Sequence, residues 1–312
     1  MSTVSQTLPP ISSSRVTALL RDYAELTKLR VTTLVVLTVW CGYYFACLKS
    51  GISSVSWGCL HALLGVGMVS GGTAALNEVI ECEIDAKMRR TARRPLPAGR
   101  MSLFHGTLVG LLLTFGGAFY LGAALDVLTG WLSLLTSIVY LAGYTPLKRV
   151  SPVCTTIGAI PGAMPAILGW TAVRGRIEWE ALVLFAILFL WQFPHFFSIA
   201  WLYREDYARG GIRMLPVVEN DGRATARRIL LYSIALIPMS LAPGFLGMAG
   251  RTYIAGAVLL GAGLLYVGAR LTTLRQPVTA AQSKQRARQL LQASVLYLPL
   301  LFALMMTNSL SS

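Results

Sequence analysis

Charge is scarce in this chain. Asp, Glu, Lys and Arg make up 13% of its 312 residues, whereas 55% are hydrophobic. A water-soluble domain of this length needs a far more charged surface, so a soluble globular fold is excluded. The five cysteines, Cys41, Cys47, Cys59, Cys82 and Cys154, follow neither a metal-ligand nor a pairing pattern. Most lie in apolar runs, where a thiol behaves as a small hydrophobe. Only three histidines occur, which excludes a histidine-rich metal cluster; His61 and His105 stand alone near helix ends and read as structural. No apolar leader of the signal-peptide kind precedes the first long apolar run.

What the chain does have is apolar runs. About nine are legible, near 31–48, 55–80, 102–122, 125–144, 153–173, 179–203, 229–249, 253–272 and 289–308, each close to the roughly 20 residues that cross a bilayer. The expected fold is therefore all-α, a polytopic membrane bundle of about nine transmembrane helices. Residues 1–24, which open Ser- and Pro-rich, are expected to form a disordered or interfacial segment, and 25–312 a single intramembrane domain. The net charge of +14 is distributed by topology. With the N-terminus cytoplasmic and the C-terminus outside, all but four of the 27 Lys and Arg face inward, the exceptions being Lys49, Arg174, Arg176 and Arg251. The basic balance thus reflects membrane lipid as solvent and predicts no nucleic-acid partner. A bacterial inner membrane is the expected location; the acid-poor, Ser-rich start with Arg15 supports the mitochondrial inner membrane as the alternative.

The most informative stretch is Asn77–Gly99, NEVIECEIDAKMRRTARRPLPAG. Asn77, Glu81 and Asp85 recur every four residues, so on a helix they share one face. Lys87, Arg89, Arg90, Arg93, Arg94 and Arg100 follow at once. Solvated carboxylates balancing nearby arginines would be the bland account. Against it, negative charge at a helix C-terminus opposes the macrodipole, and a bound cation would reverse that penalty. Polar groups on one stripe of a membrane span are also functional by default. A second inner segment, YREDYARGGIRMLPVVENDG from Tyr203, offers Asp206 as an opposing carboxylate, with Tyr203, Tyr207, Arg209 and Arg213 as donors. His195 precedes Asp206 by eleven residues, about 16 Å of helix, and so lies deeper in the membrane. Lys148 and Arg149 end another span on the same inner face, where they suit an anionic leaving group. The run between, with Gly158, Pro161, Gly162, Pro165 and Gly169, permits close helix contact or a flat ligand surface. Together these parts describe a metal–diphosphate site opening into an apolar bundle. Few carboxylates and no thiolate or histidine cluster favour Mg²⁺.

Several motifs then carry a resemblance over nearly the whole chain: Asn77-x-x-x-Glu81-x-x-x-Asp85, Met88-x-Arg90-Thr91-x-x-Arg94-Pro95-Leu96-Pro97, Tyr144-Thr145-x-Leu147-Lys148-Arg149, Pro194-His195-Phe196 and Asp206-Tyr207 followed by Met214-Leu215-Pro216. In these the sequence resembles the UbiA-type intramembrane prenyltransferases, most closely the branch that modifies haem. The resemblance implies transfer of farnesyl from farnesyl diphosphate to a vinyl group of haem B, with addition of water, giving haem O. It implies Asn77, Glu81, Asp85 and Asp206 as metal ligands and catalytic residues, and His195 as a further catalytic residue. It assigns Arg90, Arg94, Lys148, Arg149, Tyr203, Tyr207 and Arg213 to the diphosphate. Haem A synthase or a terminal oxidase assembly is the implied recipient. Two departures stand out. Glu81 replaces the Asp of many relatives, and Leu202 occupies the position of an earlier acid in the second motif, which leaves the second ligand set open. Other readings differ in acceptor, an aromatic quinone precursor, or in class, an ion-coupled transporter or a non-catalytic assembly factor. Coupling sites near the bilayer midplane in broken helices are expected of a transporter, unlike acids at the inner boundary.

Overall fold

The structure is a computed structural model and describes residues 13–219, 221–273 and 278–309. Among these residues the fold is all helical, apart from one isolated bridge between Ala249 and Ser309. A short helix α1 (Ser13–Leu26) leads into α2 (Leu29–Lys49), α3 (Trp57–Lys87), α4 (Leu103–Ala124) and α5 (Val127–Ile138). α5 continues through a π-helical turn, Val139–Tyr144, into α6 (Thr145–Leu147). Then follow α7 (Cys154–Arg174), α8 (Trp179–Leu202), the short α9 (Arg204–Arg209) and α10 (Leu215–Val218), and finally α11 (Arg223–Phe245), α12 (Arg251–Thr272) and α13 (Ala281–Thr307). Nine of these stretches are long and apolar enough to cross a membrane, α5 through α6 counting as one.

Local chemistry sets the boundaries. Ser56 and Ser102 cap α3 and α4 by accepting from the backbone N–H of Cys59 and His105. Asp126 does the same for α5 through Leu128, and Gly175 ends α7 in the left-handed region at φ 61°. Glu219 accepts from the N–H groups of Ala224 and Thr225 and so caps α11 from outside the helix.

Lipid supplies no hydrophobic pressure between helices, so small residues that allow backbones to approach do much of the packing. α2 and α7 show this most clearly: a Cβ at Gly169 would lie 2.0 Å from the Val39 carbonyl oxygen, and one at Gly42 would lie 2.1 Å from that of Ala166. Close contact is therefore what the Gly- and Pro-rich run of α7 serves, and the helix runs unbroken through Pro161 and Pro165. Large side chains face outward instead. Phe104, Phe119, Trp131, Trp179 and Phe245 are exposed, as a lipid-facing surface requires.

The structure refines three expectations. Residues 1–12 lie outside the described residues; of the segment expected to be disordered or interfacial, Ser13–Leu26 is helix. It is tied down by Leu26, fully buried, by a Tyr23–His105 hydrogen bond of 2.7 Å, and by Arg100 bridging Asp22 and Glu25. α3 extends to Lys87, past the end of its apolar run near 80, and so keeps Asp85 on the helical face expected of it. α11 and α13 begin six to eight residues earlier than their apolar runs, at Arg223 and Ala281. Hydropathy loses a helix where charged residues occupy its end turns, the last of α3 and the first of α11 and α13, although the backbone ladder continues.

Candidate functional site

The last turns of α3 present Asn77, Glu81 and Asp85 on one stripe, exposed by only 1%, 6% and 1%. Each meets its own cation. Lys28 donates to Asn77 Oδ1 at 2.6 Å, Lys148 to the two Glu81 oxygens at 2.8 and 3.1 Å, and Arg94 to Asp85 Oδ2 at 2.6 Å. Asn77 also donates through Nδ2 to Thr145 Oγ1 at 3.1 Å. Three positive groups thus face two carboxylates and a neutral amide.

Backbone irregularities aim these cations. Lys28 sits between α1 and α2 with φ 46°, the sole non-glycine in the left-handed region among the described residues. That conformation is costly for a residue with a Cβ and persists only where its surroundings enforce it. Lys148 follows the π-helical turn, whose wider loop is closed by Thr145 Oγ1 donating to the Tyr140 carbonyl at 2.9 Å. The Lys148 ammonium lies 4.4 Å over the ring of Tyr144. Arg94 is carried by the segment after α3, held by Thr91 Oγ1 donating to the Asp85 carbonyl at 2.9 Å and by Leu96 N–H donating to Glu78 Oε1 at 3.2 Å. Glu78 is fully buried, and its other oxygen has no partner among the described residues.

Asp206, on α9, joins the two inner segments. It accepts from the backbone N–H groups of Arg89 and Arg90, both at 3.3 Å, and from the Arg209 side chain. The Arg90 guanidinium lies 5.1 Å over Tyr203 and 5.5 Å over Tyr207, and donates to the Tyr207 hydroxyl at 3.4 Å. Arg213 is bound through its backbone, its N–H donating to the Lys148 carbonyl at 2.7 Å. The side chains of Arg149 and Arg213 are exposed.

The charges differ in comfort. Burial, then Arg94 and Lys148, push Lys28 down to about 7, because its contact is an amide that cannot offset its charge. Burial works against charge on Lys148 too, but the neighbouring Tyr144 and Tyr140 and the Glu81 carboxylate outweigh it and hold the lysine above its usual range. At Asp206 burial opposes ionisation, yet Arg209 and the two backbone N–H groups prevail and keep it below the usual carboxylate range.

Of the residues singled out from sequence, the structure gathers Asn77, Glu81, Asp85, Arg94 and Lys148 by direct contact, and Asp206, Arg90, Tyr203 and Tyr207 beside the segment that carries Arg94. His195 is elsewhere, bonded to Ser294 on α13. Lys28 and Thr145 were not singled out for the site. A lysine opening the first span is a usable signal for one, and the motif Tyr144-Thr145-x-Leu147-Lys148-Arg149 already contains the other.

No three of His, Cys, Asp and Glu stand close enough together to hold a metal ion among the described residues. The arrangement is instead a row of acceptors, each neutralised by a detachable donor. A polyanion entering with a divalent cation can exchange both sets of partners at once, cations to the anion and acids to the metal.

Comparison with known proteins identifies the family. The UbiA prenyltransferase family matches residues 34–306. The chain is 60% identical over 308 residues to a protoheme IX farnesyltransferase of Koribacter versatilis, covering 99% of both chains. It is 48% identical to one from Solibacter usitatus, covering 93% of this chain and 99% of that one. Among solved structures, a digeranylgeranylglyceryl phosphate synthase has a similar fold at TM-score 0.73 and 16% identity, over 93% of this chain and 98% of the other. A UbiA homologue from Archaeoglobus fulgidus bound to GPP and Mg²⁺ gives 0.57 at 16% identity, over 91% and 99%.

Proposed function

Because the chain belongs to the UbiA prenyltransferase family, we propose that it transfers farnesyl from farnesyl diphosphate to a vinyl group of haem B, with water, giving haem O and diphosphate. The observation that carries the donor half is the buried Asn77–Glu81–Asp85 stripe, each member held by a separate cation. The acceptor is the one named for the relative that is 60% identical end to end.

The donor set fits magnesium. Asn77, Glu81, Asp85 and Asp206 offer only oxygen, and Mg²⁺ is characteristically held by one or two carboxylates together with substrate phosphates. When bound, it would neutralise charge growing on the departing diphosphate. The chain's own residues supply the rest. Lys28, Lys148 and Arg94 turn from their acceptors to diphosphate oxygens, with Arg90, Tyr203 and Tyr207 beside them and Arg149 and Arg213 at the rim. These donors favour breaking of the allylic C1–O bond, whose electron pair leaves with diphosphate. The haem vinyl group bonds to C1, and the resulting cation next to the pyrrole takes hydroxide from water, releasing a proton. Apolar walls keep water from the farnesyl cation until the carbon–carbon bond has formed.

The charged end of the bundle, by the positive-inside asymmetry, faces the cytoplasm of a bacterial inner membrane. Haem A synthase or a terminal oxidase assembly is the recipient of the product. Incubating membranes containing the chain with farnesyl diphosphate and haem B tests the reading: a farnesylated hydroxyethyl haem is expected, and its absence alongside prenylation of 4-hydroxybenzoate would transfer the assignment to a quinone precursor.

A further inference from the structure

His195 lies within α8, apart from the acidic stripe, on the side that meets α13. Its Nδ1 is 3.0 Å from the hydroxyl of Ser294, which is fully buried. That hydroxyl is also 2.7 Å from the carbonyl of Leu291, one turn earlier on α13. A hydroxyl has a single proton. Since it is donated to Leu291, the oxygen can only accept from the imidazole, so Nδ1 carries the hydrogen and Nε2 the lone pair. Trp191 reinforces the arrangement, donating its indole N–H to the Ser294 carbonyl at 2.7 Å and stacking on the imidazole at 4.9 Å and 21°. One residue of α13 therefore fixes both tautomer and ring plane. Nε2 has no hydrogen-bond partner among the described residues, and the side chain is only half-buried.

A neutral imidazole, locked through Nδ1–H with its other nitrogen unclaimed inside a membrane span, has the preparation of a metal ligand. We propose that Nε2 of His195 is an axial ligand to the iron of the haem acceptor. The inference rests on haem being that acceptor. The bond forms by donation of the Nε2 lone pair into a vacant axial position, with no proton released and no change of oxidation state. His195 stands seven residues, about 10 Å of helix, before the end of α8 and the turn to Asp206. Ligation there anchors the macrocycle by its centre and leaves the vinyl groups at its rim free for the diphosphate end. His195 is on this account a positioning residue that selects metalloporphyrin.

The test is titration of the purified full chain in detergent with ferric haem, followed by absorption and electron paramagnetic resonance. Wild type is expected to show a nitrogen-ligand signature. His195→Gly should lose it and regain it on addition of free imidazole, while farnesyl diphosphate binding stays unchanged as a check on folding. Ser294→Ala, which frees the tautomer, should weaken haem affinity about tenfold. A wild-type spectrum in His195→Gly that imidazole does not alter would overturn the proposal. Failure of the wild type itself to bind haem, with prenylation of an aromatic acid intact, would overturn the acceptor as well, so the two failures are distinct.

Discussion

Charged groups gather at both ends of this bundle, and the two gatherings are wired in opposite ways. At the end away from the acidic stripe, Glu178 accepts from Arg174, Arg176 and the Trp170 indole, with Lys49 3.5 Å away. Glu180 takes the same lysine at 2.7 Å, and Arg174 also reaches Ser50. Donors converge there until the acceptors are saturated, joining α2, α7 and α8. At the Asn77–Glu81–Asp85 end each acceptor is held by one principal cation, and Arg149 and Arg213 extend exposed side chains beyond them. The first cluster is a staple. The second holds its charges in pairs that an incoming polyanion can take apart, and the difference lies in connectivity, since both ends mix acids with bases.

Breaking the second cluster should have the largest effect on turnover. Asp85→Asn or Glu81→Gln should lower haem O formation by about 10²–10³-fold, measured as product in purified membranes, and chelation of divalent cations should do the same to wild type. Glu178→Gln should leave turnover per folded molecule unchanged; equal losses at both ends would erase the contrast. Next in size is the cost of a stranded charge. Lys148→Met leaves Glu81 buried without its partner, which should cost about 3 kcal/mol or more in unfolding measurements. Adding Glu81→Gln should recover most of that stability and none of the activity.

The staple should declare itself in acid. Arg174 above all, helped by Trp170, Arg176 and Lys49, holds Glu178 at about 2, well under the usual carboxylate range. A depressed acid stabilises fully above its unfolded-state value and loses that contribution as pH falls toward about 2. Thermal unfolding of wild type should therefore weaken over that acid window, and Glu178→Gln, weaker from the start, should weaken less. The smallest effect is expected at the rim: Arg149→Ala should change stability by no more than about 0.5 kcal/mol. Its apparent Michaelis constant for farnesyl diphosphate should rise while haem affinity does not.

Much of this was legible before any coordinates. Periodicity alone put Asn77, Glu81 and Asp85 on one helical face, and the charge asymmetry separated the two ends. What the sequence hid is how the stripe is neutralised. Lys28 and Lys148 come from 49 residues before Asn77 and 67 after Glu81, distances that only helix packing closes. The role of Arg94 depends on the fold of a segment pinned by Glu78, whose identity as an anchor no local pattern signals. The tautomer of His195 likewise depends on a serine 99 positions away.

The wide turn at Val139–Tyr144 has a consequence for how this chain can change. A π turn holds one residue more than the ordinary ladder and winds less per residue, so winding the same six residues as regular α-helix would rotate everything beyond them by about 100°. Lys148 would then swing off Glu81. Losing one residue while the turn reverts to regular winding would instead leave Lys148 facing the same way, so this span can absorb a change of length more easily than a substitution that forces regular winding on all six.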